Sequence, residues 1–229
     1  MQVVRWNKYN RKRLQNVINA RVDKDTKRVV QENQLLIRHY MDSQLRMMEM
    51  NDSLRYAHHL QNAMLPGESR LRELAGDAFL LNIPRNTLSG DFCWCSRNGS
   101  LLIIAVADCT GHGVPGALMS ILGLNLLNRA VIDEGLTNPS EILNAVDNRM
   151  QETFARNGDA PAQHGYDGMD IGLCVIDTEK QLIHFAGAIR PLFIVKNGSL
   201  TEINGSRFPI GGLRLDTERN FLQHTISYS

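Results

Sequence analysis

The sequence predicts an α+β fold in which antiparallel strands and helices form a layered sandwich, preceded by one long helix. The strand-like runs lie before and after a pair of helices, whereas a parallel βαβ fold would alternate strands with helices. The long helix is predicted because residues 10–64 contain neither Pro nor Gly and repeat apolar side chains with a seven-residue period. The 229 residues are 43% hydrophobic and 21% charged, which excludes a disordered or collagen-like chain.

The seven-residue repeat also predicts how the long helix is used. Its first line of positions is Val22, Val29, Leu36, Ser43, Met50, Ala57 and Met64. A second line, four residues after the first, includes Tyr40, Met47, Leu54 and Gln61. This spacing is typical of a left-handed coiled coil, so a homodimer through the N-terminal helix is expected, although polar Ser43 and Gln61 weaken the seam. The alternative is a long helix that packs on its own domain.

A domain boundary is predicted where the long helix ends. Pro66 and Gly67 stop the helix and divide the chain into a regulatory helix, residues 1–65, and a globular domain, residues 66–229. The charge changes near the same place, from 12 Lys or Arg against 6 Asp or Glu before residue 64 to 13 against 18 from there onward. An acidic domain without a basic, aromatic-rich face argues against nucleic-acid binding.

The sequence predicts a cytoplasmic location. It contains no run of 18 apolar residues that would span a membrane, and its first residues lack the apolar core of a secretory signal. A membrane link is therefore expected only if an upstream segment is missing. The four cysteines form no CxxC pair, so reduced, buried thiols are expected rather than structural zinc or disulfides.

The elements of the globular domain follow from hydrophobic periodicity and turn residues. A short helix over residues 68–75 comes first. The predicted elements after it are strands 79–83, 91–96 and 101–107, helices 116–132 and 139–154, and strands 171–176, 182–186, 191–195, 200–203 and 221–227. Residues 97–100 and the pair Asn197-Gly198 read as hairpin turns, and residues 155–168, rich in Gly, Ala, Asp and Pro, as a loop.

Two aspartates are the leading candidates for a functional site. Asp91 opens the first strand of a short hairpin, and Asp108 closes the second, so antiparallel pairing brings both carboxylates to one end of the sheet. Two bare carboxylates about 4 Å apart would repel by roughly 4 kcal/mol at an effective dielectric near 20, which a divalent cation would relieve. Oxygen ligands favour Mg²⁺ or Mn²⁺ over zinc. The alternative is a turn with two capping aspartates.

Other residues near this edge are weaker candidates. His112 lies between two glycines after Asp108, where it either donates a proton to a leaving oxygen or has no role in the chemistry. Asp167 and Asp170 enter the next strand, where they either reach the same edge or cap the preceding loop. Arg85, just ahead of Asp91, either binds phosphate or faces solvent.

These motifs resemble a known family. The segments SGDF, ADCTGHGVPGALMS, DGMDIGLCVID, FAGAIRPLF and FPIGG are similar, in order, to the bacterial sporulation stage II protein E type of metal-dependent protein phosphatase, a branch of the PPM superfamily. The resemblance covers residues 60–229. It includes the segment QNAMLP, residues 61–66, by which such domains leave a regulatory helix.

The resemblance implies an αββα sandwich of two antiparallel sheets flanked by helices, with a two-metal centre of Mn²⁺ or Mg²⁺. It implies hydrolysis of phosphoserine or phosphothreonine on a partner protein, often an anti-sigma-factor antagonist, by a metal-activated water. Asp91 and Asp108 match metal ligands, together with the backbone carbonyl of Cys109. The upstream helix in such proteins often carries a signal from a sensor, in some cases membrane-linked.

One departure from the family pattern bears on activity. Relatives continue past residue 227 with a further strand and an Asp-Gly motif whose Asp is a metal ligand, and this chain stops before it. The resemblance therefore implies that the domain is truncated and its metal site incomplete, with Asp170 as a possible extra ligand. The alternative function is a non-catalytic dimeric scaffold that binds a phosphoprotein partner.

Overall fold

The computed structural model describes residues 2–84, 86–155, 167–212 and 219–228. The chain divides into two compact units, Met1–Ser53 and Leu54–Ser229. The first unit is helical throughout its described residues, and the second contains the sheets and the remaining helices.

The first element, α1, is a helix of 63 residues, Gln2–Met64. The predicted seam is exposed to solvent at Val22, Leu36 and Met50, whose exposed fractions are 59%, 65% and 63%. Ion pairs one turn apart, such as Lys27 with Asp23 at 2.9 Å, follow the helix surface. Large apolar side chains thus remain exposed along most of this helix.

The second unit contains short helices and strands in the predicted order. Its elements are α2 (Glu68–Ala75), β1 (Phe92–Asn98), β2 (Leu101–Cys109), α3 (Val114–Asn128), a π-helical turn (Arg129–Asp133), α4 (Pro139–Ala155), β3 (Gly168–Asp177), β4 (Leu182–Ala188), β5 (Leu192–Lys196), β6 (Ser199–Ile203), β7 (Ile210–Gly211) and β8 (Gln223–Ser227).

The strands form two antiparallel sheets. The larger has the order β1-β2-β3-β4-β8, with β7 paired to the start of β3, and the smaller is the hairpin of β5 and β6. Strand β2 pairs with β1 on one side and β3 on the other, so it lies inside the sheet. This arrangement, with the long N-terminal helix, confirms the predicted fold class of two antiparallel sheets with flanking helices.

The core lies where α3 and α4 pack on the larger sheet. Ile103 of β2, Leu127 of α3, Ile142 of α4 and Leu173 of β3 have no exposed surface. The side chains of β3 alternate between buried and partly exposed, as expected for a strand with one face against helices. Helix and sheet are also joined by a hydrogen bond, in which the Trp94 indole N–H donates to the Asn128 side chain at 2.8 Å.

One helical segment of the described residues, Val114–Asp133, is long and apolar enough to cross a membrane by length and composition. Just over half of its most apolar window, 56%, is buried. Because α3 packs against the sheet, its apolar character is accounted for by the core. The finding is weak evidence for a span.

The structure corrects several predicted bounds. The strand predicted over residues 79–83 is wrong: this segment is irregular, with Phe79 and Ile83 about four-fifths exposed, at 79% and 81%. No strand of the described residues pairs with this apolar segment, so no ladder of hydrogen bonds forms. Helix α3 begins at Val114 and passes into the π-helical turn, and the two-residue strand β7 was not predicted. Most of the predicted 155–168 loop, residues 156–166, lies outside the described residues.

Candidate functional site

The first feature of the site is the pair of carboxylates, Asp91 and Asp108. The β1–β2 register pairs Phe92 with Ala107, so Asp91, one residue before β1, lies beside Asp108 near the end of β2. Burial raises the pKa of Asp91 above its ordinary value, and it is raised further by the hydrogen bond that protonated Asp91 donates to the Asp108 carboxylate and by the charge of Asp108. The hairpin thus brings these two predicted residues together, as expected from the sequence.

A third carboxylate joins them from the neighbouring strand. The β2–β3 register places Asp170 directly opposite Asp108. Burial raises the pKa of Asp170, with the charge of Asp108 acting in the same direction and that of Arg190 opposing it. Side chains opposite each other in an antiparallel ladder point to the same face, so Asp170 belongs to the same cluster as Asp108.

A guanidinium group, which the sequence reasoning missed, faces these carboxylates. Arg190 forms an ion pair with Asp108, and its Nη2 atom lies 3.7 Å from an Asp170 carboxylate oxygen. Arg190 follows β4, whose register pairs Ala188 with Ile171 of β3. Continuing that register past the end of β4 places Ile189 opposite Asp170 and Arg190 one residue further on. The sequence signal for this contact was a basic residue just after a strand, and it could be interpreted only once the strand register was known.

The loop between β2 and α3 depends on glycines. Gly111 and Gly113 have positive φ angles of 89° and 65°, which side chains with a Cβ atom rarely adopt. A Cβ atom on Gly116 would lie 2.6 Å from the carbonyl oxygen of Gly111, so the first turn of α3 packs directly on the loop backbone. His112 is exposed at this loop. Its predicted role in proton transfer stays a prediction.

Two further predicted ligands lie at the ends of β2 and β3. The Cys109 carbonyl oxygen lies against Gly90, where an added Cβ atom would be 3.1 Å away. Asp167 precedes β3, and its carboxylate accepts a long hydrogen bond of 3.5 Å from the Thr110 hydroxyl. The same hydroxyl accepts a hydrogen bond from the Gly168 N–H at 2.9 Å. The structure thus places both residues at the strand ends that carry the carboxylates.

The four cysteines are free thiols. Burial raises the pKa of Cys93 to about 11, and it raises the pKa of Cys109 and of Cys174 to about 12. The carboxylates of Asp91, Asp108 and Asp170 offer oxygen atoms, the donors that hard divalent cations prefer.

Gln61, near the end of α1, fixes the segment that leads to Asp91. Its side-chain N–H₂ donates to the Ser89 carbonyl at 2.6 Å and to the Ser120 hydroxyl at 2.9 Å, and its oxygen accepts from the Ser89 N–H at 3.3 Å. The Ser89 hydroxyl in turn accepts from the Asp91 N–H at 3.0 Å. Gln61 is 2% exposed. From the sequence, Gln61 was predicted to weaken the coiled-coil seam. The sign of a different role was that a polar residue occupies an otherwise apolar heptad line.

A groove of about 570 Å³ opens beside the carboxylates. Its polar end contains Asp91, Asp108 and Arg190, and its walls are mostly apolar. Among the described residues, no group of three or more His, Cys, Asp or Glu side chains is close enough to hold a metal ion. The Asp91 and Asp108 pair nevertheless fits a divalent cation, because two adjacent carboxylates are the oxygen donors that Mg²⁺ and Mn²⁺ prefer and a cation between them would offset their like charge. Arg85, predicted to bind phosphate, lies outside the described residues.

Comparisons with known proteins show which family the chain is similar to. The family model for Stage II sporulation protein E (SpoIIE) matches residues 98–227. The SiaA-PP2C domain of Pseudomonas aeruginosa is similar at 30% identity over 80% of this chain and 69% of that chain, with a TM-score of 0.68. The PP2C domain of SpoIIE from Bacillus subtilis, solved with a fragment of its regulatory domain, matches at 18% identity over 62% of this chain and 39% of that chain, with a TM-score of 0.49. The search of curated proteins gives no match.

Proposed function

We propose, from the premise that the chain belongs to the stage II sporulation protein E family of PP2C-type phosphatase domains, that it is a metal-dependent protein serine/threonine phosphatase in bacterial signalling. The observation that carries this proposal is the carboxylate pair of Asp91 and Asp108, which the β1–β2 register brings together at the strand ends, with Asp170 opposite Asp108 in the β2–β3 register. Its substrate would be phosphoserine or phosphothreonine on a partner protein, such as an anti-sigma-factor antagonist.

The metal ligands that we propose are the carboxylates of Asp91 and Asp108 and the carbonyl of Cys109, with Asp170 and Asp167 as further candidates. Mn²⁺ or Mg²⁺ at such a site supplies an acidified water as nucleophile and neutralises phosphate charge. The chain's own contribution is positional. The hairpin holds Asp91 beside Asp108, and the glycine loop leads directly into the N-terminus of α3, a helix end that favours an anion.

His112 is proposed to donate a proton to the leaving serine or threonine oxygen. Its support is its position in the exposed loop that directly follows β2, three residues after Cys109. A general acid of this kind contributes about 10²- to 10⁴-fold to the rate. His112→Ala should therefore lower turnover mainly for substrates with a poor leaving group and much less for an activated aryl phosphate.

The N-terminal helix is proposed to dimerise the protein and to switch the phosphatase. Support comes from the exposed apolar line of α1 and from the hydrogen bonds of Gln61 at its end. Met50→Glu, on the seam, should weaken the dimer in sedimentation and change turnover. The matched control is Met48→Glu, which is equally exposed at 61% but lies off the seam. If both variants behave like the unchanged chain, the helix is not the dimer interface.

A cytoplasmic location is part of the proposal. The chain would be either a free cytoplasmic protein or the cytoplasmic part of a membrane-linked sensor. It is supported by the four free cysteines, because thiols persist in reducing compartments.

The test is phosphate release from a phosphoserine peptide, with and without Mn²⁺, by the unchanged chain and its Asp108→Asn variant. Loss of an outer-shell partner of a metal site costs 10- to 100-fold, so loss of a ligand should lower release by more than about 100-fold. The control is Asp133→Asn, an exposed aspartate at the end of the π-helical turn. Mn²⁺ binding by calorimetry without any phosphate release would instead favour a non-catalytic scaffold for a phosphoprotein.

A further inference from the structure

The backbone of Arg190 is fixed in place by a hydrogen bond and by close packing. Its N–H donates to the Ala188 carbonyl at 2.7 Å. Its carbonyl oxygen packs so closely on Gly187 and Gly205 that added Cβ atoms there would lie 2.3 Å and 2.7 Å away. The preceding residue, Ile189, has a positive φ of 64° and donates its N–H to the Ser206 carbonyl at 2.8 Å. The guanidinium is therefore carried to the sheet edge by a tightly packed turn.

Arg190 supplies the positive charge of the groove. Among the described residues that line the groove, Arg190 is the only Arg or Lys, while Asp91 and Asp108 line the same end. Its side chain is 46% exposed, so the guanidinium is open to a ligand from solvent although it pairs with Asp108 and Asp170. A guanidinium presents a planar fork of N–H donors that matches two oxygens of a phosphate.

The carboxylates that Arg190 now neutralises are those proposed to bind metal. A divalent cation competes with the guanidinium for the same carboxylate oxygens and repels it, because both are positive. A phosphate dianion that enters the groove then offers the guanidinium a new partner, without moving the backbone of Arg190.

We propose that Arg190 is the phosphate-binding residue of this site, which exchanges its ion pairs with Asp108 and Asp170 for the phosphoryl oxygens of the phosphoserine substrate. This inference rests on the proposed function, because it needs a phosphate ester in the groove. The structure places Arg190 among the carboxylates. The phosphate contact predicted for Arg85 stays a separate prediction.

The test compares the unchanged chain with Arg190→Gln and Arg190→Lys, each loaded with Mn²⁺. The measurements are KM and kcat on a phosphoserine peptide, binding of inorganic phosphate by calorimetry, and Mn²⁺ affinity by calorimetry. Arg190→Gln should raise KM and the phosphate Kd at least about tenfold, because a charge-assisted pair is lost. Arg190→Lys should recover part of both, Mn²⁺ affinity should not fall, and the control Arg129→Gln should change nothing. Arg129 is an exposed residue of the π-helical turn.

The outcomes separate this inference from the proposed function. Unchanged KM and phosphate Kd in Arg190→Gln would overturn the inference and leave the phosphatase intact. A fall in Mn²⁺ affinity and kcat with an unchanged phosphate Kd would also overturn it, because Arg190 would then only position the carboxylates. If the unchanged chain neither binds Mn²⁺ nor releases phosphate, the proposed function fails, and the inference fails with it.

Discussion

The side chain of Gln61 offers the sharpest test of how the end of α1 supports the site. The change is Gln61→Ala, which removes three hydrogen bonds, two to the Ser89 backbone and one to the Ser120 hydroxyl. Ser120 is fully buried but keeps its own bond to the Ala117 carbonyl at 2.8 Å, and Ser89 is only partly buried, so water reaches it.

The expected loss of stability follows from these contacts. A buried polar group left without a partner costs about 1–3 kcal/mol, and partial access of water to Ser89 lowers that cost. Releasing the ordered Gln61 side chain returns up to about 2 kcal/mol of conformational entropy. Because three hydrogen bonds are lost while one side chain is released, the net expectation is a loss of about 1–2 kcal/mol. For a unit of this size that corresponds to a fall of about 2–8 °C in melting temperature.

The assay is thermal unfolding followed by circular dichroism, together with phosphate release in Mn²⁺. Turnover should fall as well, because the Ser89 hydroxyl accepts the Asp91 N–H and loss of Gln61 frees the Ser89 backbone. The matched control is Asn62→Ala, the next residue of the same helix, which is exposed. A melting temperature of Gln61→Ala equal to that of Asn62→Ala would refute the reasoning, since the buried bonds would then contribute nothing.

Two further predictions concern the glycine loop before α3 and the turn that follows β3. Gly116→Ala places a Cβ atom 2.6 Å from the Gly111 carbonyl and should cost about 1–3 kcal/mol in urea unfolding. Gly123→Ala in the same helix, which meets only side-chain atoms at 3.0 Å or more, should cost less; equal losses would contradict this account. The Asp177 carboxylate accepts the Lys180 and Glu179 N–H groups, and the Lys180 N–H lowers its pKa most. Its stabilisation is present above the unfolded pKa of about 3.9 and is lost as pH falls through the lower folded pKa. Asp177→Asn should therefore lower the melting temperature more at pH 7 than at pH 3, and an equal difference at both values would show that the charge is not responsible.

The parts of the site that the sequence predicts are those set by local chain geometry. Asp91 and Asp108 flank a hairpin whose turn contains Gly99, and a short hairpin leaves little freedom in which residues face each other. Their adjacency could therefore be worked out without knowing any other part of the fold. The helix after this loop was predicted to begin at residue 116 and begins at Val114, since glycine and proline mark a turn to within a few residues.

The parts that the sequence did not predict depend on pairing between distant segments. The approach of Arg190 to Asp108 needs the registers of β2 with β3 and of β3 with β4 together. The failed strand at residues 79–83 shows the converse. Its apolar residues favoured a strand, but a short apolar run carries no information about whether a second strand lies alongside.

The contacts of Gln61 show why a polar residue on an apolar line is informative. A glutamine that weakens a coiled-coil seam would be exposed or would pair across the seam, yet Gln61 is 2% exposed and bonds to Ser89 and Ser120. Burying an amide is costly unless its hydrogen bonds are satisfied, and three bonds at 2.6–3.3 Å satisfy it here. The position of Gln61 in the last turns of α1 is therefore set by its contacts within the second unit and not by a coiled-coil seam. A change in the backbone of α1 at Gln61 would act on Asp91 through Ser89, two residues before it, which gives a physical route from the proposed regulatory helix to the proposed metal ligands.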